Sequence, residues 1–175
     1  MKEKNIFNVD RLYSASTNKV LLNVHCSSFP IDKVKLRAAS YESKENIDFY
    51  LDFPAFQTLA ADAESGRLFT KLASKQYQLF TGYEKEGQVI SRQLSISYSE
   101  PRVFVTIQEG PGRKTETGAI LPVKGAEISK RISVPIDVAT FRQMMIYTSN
   151  CITAYLSTKI SRMLSEYDNM RYSDK

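Results

Sequence analysis

Two ten-residue blocks constrain this chain most, because they repeat one junction half a chain apart. Residues 50–59 read YLDFPAFQTL and residues 135–144 read PIDVATFRQM. Laid together without a gap, at a shift of 85 residues, they place Asp52 on Asp137, Phe56 on Phe141 and Leu59 on Met144. In each block an apolar stretch runs into an aspartate, a residue that caps the orphan N–H groups of a first helical turn. The Phe and the apolar residue after it recur at helical spacing. A chain of 175 residues holds one compact domain or two tightly joined halves. The repeat therefore predicts an α+β protein. Two tandem β-sheet-plus-helix units arise by internal duplication, with antiparallel sheets packed on helices.

Hydrophobic periodicity fills in each unit. Residues 20–25 (VLLNVH) are apolar enough for a buried strand. Residues 31–41 alternate, with Val34, Leu36 and Ala38 on one face and Lys33, Lys35, Arg37 and Tyr41 on the other. Residues 47–51 form a third strand, and Asp52 caps a helix whose first turn holds Pro54. Strands at 77–83, 89–98, 102–109 and 132–136 make the second unit, with a weaker candidate at 119–124 interrupted by Pro122. Residues 110–114 (GPGRK) read as a flexible, basic hairpin tip. Asp137 then caps a long C-terminal helix reaching 164–167, striped by Phe141, Met144, Met145, Thr148, Cys151, Ile152, Tyr155, Ile160 and Met163. The predicted boundaries are a flexible arm at 1–19, a first unit at 20–74, a second at 75–167 and a polar tail at 168–175. The stripe outruns what one small sheet covers, so part of it is expected to meet another helix, including one from a second subunit.

Several chemistries lack their residues. The two cysteines, Cys26 and Cys151, make neither a disulfide framework nor a four-ligand zinc site, and His25 is the one histidine. Gly-rich phosphate loops and the nucleophile-elbow motif are absent. Asp48 and Asp52 lie four apart at a strand end and do not converge. The sequence thus predicts no catalytic residues, no metal and no cofactor. No apolar run is long enough to span a membrane and the N-terminus lacks a signal-peptide core, so a cytoplasmic protein is expected.

The strand faces turned from the core carry the positive signal. Lys33, Lys35, Arg37 and Tyr41 share one such face. Arg102 and Phe104 alternate against Val103, Val105 and Ile107. Tyr77, Phe80 and Tyr83 cluster in the strand that opens the second unit, Arg92, Lys130 and Arg131 lie at strand ends, and Arg113 and Lys114 occupy the hairpin tip. Aromatic rings stack on unpaired bases and cations neutralise phosphates, at little cost in sequence tolerance. With a net charge of +5, this mixture predicts low-specificity binding of single-stranded nucleic acid. Single-stranded DNA is placed first and RNA second, because discrimination at the 2′-OH depends on geometry. The alternative is a non-enzymatic assembly subunit, of phage or mobile-element type, using the same surface for oligomer contacts.

The stretch RVFVTIQEGPGRKTETGAILPVKGAEISKRISVPIDVATFRQM (102–144) carries a family resemblance. Its strand, basic hairpin and apolar strand running through a cap into a helix resemble the ending of the Whirly and positive-cofactor-four-type single-stranded DNA-binding proteins. In that family, four-stranded units each followed by a helix pack through their helices, and DNA lies across the sheets. The resemblance implies that Lys35, Arg37, Arg102, Phe104, Arg113 and Lys114 are the positions comparable to the family's binding face. The Lys-Gly-Lys-Ala-Ala-Leu signature of plant Whirly proteins is missing; KVKLRAA (33–39) is a loose echo of it. The hairpin between 109 and 132 is also longer than the family's.

Overall fold

A computed structural model describes residues 9–173. The fold is α+β, with two antiparallel sheets and a long C-terminal helix. The first unit runs β1 (Arg11–Ser16), β2 (Val20–His25), β3 (Lys33–Ser40), β4 (Asn46–Asp52), α1 (Phe53–Glu64) and α2 (Arg67–Ser74). The second runs β5 (Tyr77–Lys85), β6 (Gln88–Ser99), β7 (Arg102–Lys114), β8 (Ile120–Pro122), β9 (Lys130–Asp137) and α3 (Val138–Ser173). Each sheet is a meander: β1-β2-β3-β4 in the first, and β5-β6-β7-β9 in the second, with short β8 paired to the far end of β7.

The two meanders correspond row by row. One row across the first sheet is Tyr13–Val24–Leu36–Phe49. Its counterpart in the second is Tyr77–Ile96–Val105–Val134. From Phe49 and Val134 the chain runs the same distance to Asp52 and Asp137, and thence into a helix. The sequence shift differs from strand to strand because the hairpin lengths differ; the β8 excursion alone separates the β3/β7 shift from the 85-residue β4/β9 shift.

The aligned helix residues do the same work. Phe56 and Phe141 are each 1% exposed, and Leu59 and Met144 are buried beside them in one continuous core. That core takes the inward residues of both sheets, Leu22, Val24, Val34 and Leu36 with Val105, Ile107, Val134 and Ile136. The helices α1 and α3 pack together, and β9 lies against β1, β2, β3 and β4. Arg142 on α3 donates to the carbonyl of Glu64 at the end of α1 (2.5 Å), tying the helices where α1 stops.

The two caps differ. Asp137 accepts from the Thr140 backbone N–H (2.9 Å) and from its hydroxyl. Asp52 occupies the same position but makes no side-chain cap bond; it pairs instead with Lys33 across the β3–β4 ladder (3.2 Å). Pro54 in the first turn removes one donor that a cap would otherwise serve.

Three sequence expectations are corrected. The arm at 1–19 contains β1, so the first unit begins at Arg11 rather than residue 20; residues 1–8 lie outside the described residues. The tail expected from 168 is helical as far as Ser173, while 174–175 are outside the described residues. Residues 110–114 are not a hairpin tip. They extend β7, pairing Gly112 with Pro122, Arg113 with Leu121 and Lys114 with Ile120, and the turn lies at 115–118.

Two glycines permit this extension. β8 crosses the second sheet with Ile120 pressed on Gly82 and Gly112. A Cβ on Gly112 would stand 2.8 Å from the Ser91 amide nitrogen and 2.9 Å from the Ile120 methyl. Gly112→Val is therefore expected to lift β8 off the sheet and to cost about 1–3 kcal/mol. Hydrogen exchange checks it: the Leu121 amide, paired across to Arg113, and the Val123 amide, which donates to the Pro111 carbonyl (3.0 Å), should lose protection while those of β9 keep theirs.

Candidate nucleic-acid interface

The outer face of the second sheet is assembled from alternate residues of four strands. Register places Phe80, Gln93, Gln108 and Arg131 in one row across β5, β6, β7 and β9. The next row is Gln78, Ser95, Thr106 and Ser133; beyond it lie Ser97, Phe104 and Pro135, then Ser99, Arg102 and Asp137. The polar side chains lock together. Gln108 donates to Gln93 (2.8 Å), Gln93 donates to Ser95 (3.1 Å), and the Thr106 and Ser133 hydroxyls share a 2.7 Å bond. The result is a flat, uncharged lattice with Phe80 exposed and Phe104 half-buried. Arg102 and Arg131 flank it, exposed and without an ion pair among the described residues. The carboxylate at its edge, Asp137, is committed to Thr140.

The outer face of the first sheet differs at the same register. Where the second sheet has Arg102, Phe104 and Thr106, the first has Lys33, Lys35 and Arg37. All three cations are answered by β4. Asp48 binds Arg37 through two bonds of 2.6 and 2.8 Å and stands 3.4 Å from the Lys35 ammonium, while Lys33 pairs with Asp52. Burial alone would raise the Asp48 carboxyl pKa. The hydrogen bonds from Arg37 and the charges of Arg37 and Lys35 outweigh it and hold the group below the ordinary aspartate range. A phosphate arriving here competes with a carboxylate already in place.

That pairing makes a pH prediction. The folded pKa of Asp48 lies below its unfolded value of about 3.9. Its contribution is thus present above that value and lost as pH falls through the folded one. Asp48→Asn is expected to lower stability at neutral pH, leaving Lys35 and Arg37 uncompensated. It should also flatten the loss of stability below about pH 4. Urea unfolding of both proteins along a pH series checks it; parallel curves would contradict the assignment.

The remaining predicted residues fall elsewhere. Tyr83, Arg92 and Lys130 lie on the opposite, core-side face of the second sheet, at its open end. There Arg92 stacks on the Tyr83 ring (4.6 Å to its centroid) and binds Glu109 (2.6 Å), to which the Tyr83 hydroxyl also donates. A cleft of about 230 Å³ beside them is lined by Tyr50, Thr81, Gly82, Tyr83 and Arg92. Arg92 is thus mid-strand rather than at a strand end. Tyr77 shares the core-side face, half-buried, with its phenol pKa raised by burial and then by the Asp62 charge. Tyr77 and Tyr83 consequently do not form one surface cluster with Phe80. Tyr41 leaves the β3 face for the following turn, Lys114 is paired with Glu84, and Arg113 is exposed on the β7 extension.

Of the fourteen predicted residues, Phe80, Arg102, Phe104 and Arg131 converge on the second sheet's outer face, and Lys33, Lys35 and Arg37 on the first sheet's. Sequence reasoning missed the amide and hydroxyl lattice. Its signal was the alternation of β6, SRQLSISYS, whose outward members are Ser91, Gln93, Ser95, Ser97 and Ser99. His25 is buried with Nδ1 3.0 Å from the Asp10 carboxylate. No group of three or more His, Cys, Asp or Glu side chains among the described residues could hold a metal. No helix there is long and apolar enough to cross a membrane.

Fold and face together define a two-unit α+β protein, each unit a four-stranded meander running into a helix, with one flat aromatic and cationic sheet face. No protein-family model matches the chain, and no curated protein matches it.

Proposed function

We propose that this protein binds single-stranded nucleic acid, DNA before RNA, on the outer face of the second sheet and without catalysis. One observation carries the reading: Phe80, Phe104, Arg102 and Arg131 share one sheet face, set on an uncharged lattice, and among the described residues neither arginine has a carboxylate partner. Unpaired bases present π-faces to the two rings, and phosphates meet arginines that need break no ion pair to receive them. The Ser, Thr and Gln lattice supplies donors and acceptors without fixing a base sequence. The correspondence of the two meanders supports descent from one duplicated unit, the second having kept or gained an open face and the first having closed its own with Asp48. This organisation also supports the resemblance to the Whirly and positive-cofactor-four-type proteins.

The test is fluorescence anisotropy of a labelled oligo-dT of about 30 nucleotides at low and moderate salt, competed with duplex DNA and with single-stranded RNA. Salt-sensitive binding that duplex fails to displace is expected. Absence of binding at low salt overturns the reading and leaves the assembly-subunit alternative.

A further inference from the structure

The end of α3 exposes an apolar seam that the rest of the described residues leave open to solvent. Ile152 is fully buried and Leu156 half-buried, but from Ser161 to Arg171 every residue is exposed. Within that stretch and just before it stand Ile160, Met163, Leu164, Tyr167 and Met170, each more than half exposed. Their spacing is ordered. Leu156, Ile160, Met163, Tyr167 and Met170 follow one another at alternating steps of four and three, the heptad seam of a two-stranded coiled coil. Ile160 and Tyr167 take the a positions, and Leu156, Met163 and Met170 the d positions. A lone helical stretch of this length is marginal in water, and one with four large apolar groups in a row gains most from a second strand.

We infer that this seam pairs with a second copy of the chain as a short, parallel coiled coil. Charge selects the copy and its direction. In a parallel pair each g residue faces the e residue five positions further along the partner. Glu166 is a g residue and Arg171 the e residue five beyond it, so two Glu166–Arg171 pairs form by symmetry. An antiparallel pair would set g against g, and so call on Lys159 to meet Glu166. Lys159 is already held by Asp32 on its own body (2.7 Å), which anchors the helix base. Glu166 pairs with Arg162 one turn back (3.0 Å), both exposed, an interaction weak enough for Glu166 to serve both cations. In the parallel dimer the two bodies lie at the same end, and their second-sheet faces become two sites for one partner molecule.

Sedimentation velocity of the full chain over a concentration series tests the inference. A monomer–dimer equilibrium is expected, abolished in the Ile160→Asp, Tyr167→Asp double variant. Both positions are exposed, so thermal unfolding of that variant should match the monomeric parent at low concentration. Glu166→Arg alone and Arg171→Glu alone should each weaken the dimer several-fold, and the two together should restore it. A chain monomeric at high-micromolar concentration overturns the inference, as does a dimer unmoved by the seam variants. That result would leave the seam to residues 1–8 or to another protein. A dimer in which the charge reversals do not rescue each other overturns the parallel pairing.

Discussion

Phe141→Ala is expected to lower the stability of the whole protein by about 3–5 kcal/mol. Phe141 is 1% exposed at the start of α3, inside a core shared by both sheets and both strand-to-helix junctions. Its truncation removes a large aromatic surface from a core in which α3 packs on both α1 and the strands, so the cavity has little freedom to collapse. Phe56→Ala, at the matching position of the first unit, should cost a similar amount. The form of the transition matters as much as the size. Because β9 lies against all four strands of the first sheet and α3 against α1, either variant should unfold in one cooperative step at lower denaturant. Two separated transitions would mean that the units fold independently. Ile160→Ala, on the exposed end of the same helix, is the control and should be nearly neutral in the monomer. Urea unfolding followed by far-ultraviolet circular dichroism checks all three.

The architecture was legible because a repeated junction and period-two alternation are local signals. Val34, Leu36, Ala38, Ile47, Phe49 and Leu51 each face inward as their parity predicts. What escaped were features that depend on pairing. Strand β1 (RLYSAS) is an edge strand with only Ala15 buried, so its composition reads as polar arm. The sequence 110–114 is rich in glycine and reads as a turn, whereas its glycines let β8 approach closely. The candidate face was half legible. Parity put Phe104 and Arg102 outward correctly, but it could not show that Asp48 neutralises Lys35 and Arg37, since Asp48 lies on the neighbouring strand and its partners follow from register alone. For the same reason Tyr83 and Arg92 read as surface groups, although their side chains are turned to the core side and to each other.

That difference between the sheets makes the sharpest functional prediction. Phe104→Ala should weaken oligo-dT binding by about 5- to 150-fold, since one stacked base is worth about 1–3 kcal/mol. The loss should be alike on dT, dA and mixed sequences, because a ring stacks on any base. Arg102→Ala with Arg131→Ala should lower the salt slope of the binding constant by about 1.4 units, at about 0.7 per phosphate contact on a single strand. Lys33→Ala is the informative comparison. Lys33 occupies the register position of Arg102 in the first sheet, but Asp52 already holds its ammonium at 3.2 Å. A phosphate gains little from a cation it must first detach, so this variant should leave the slope near that of the parent. If Lys33→Ala lowers the slope as much as Arg102→Ala does, both sheets bind and the carboxylates of β4 do not screen the first. If neither arginine variant changes the slope while Phe104→Ala still weakens binding, the strand crosses the rings along another path. The cleft between Tyr50 and Tyr83, with Arg92 at its wall, is then the next surface to substitute.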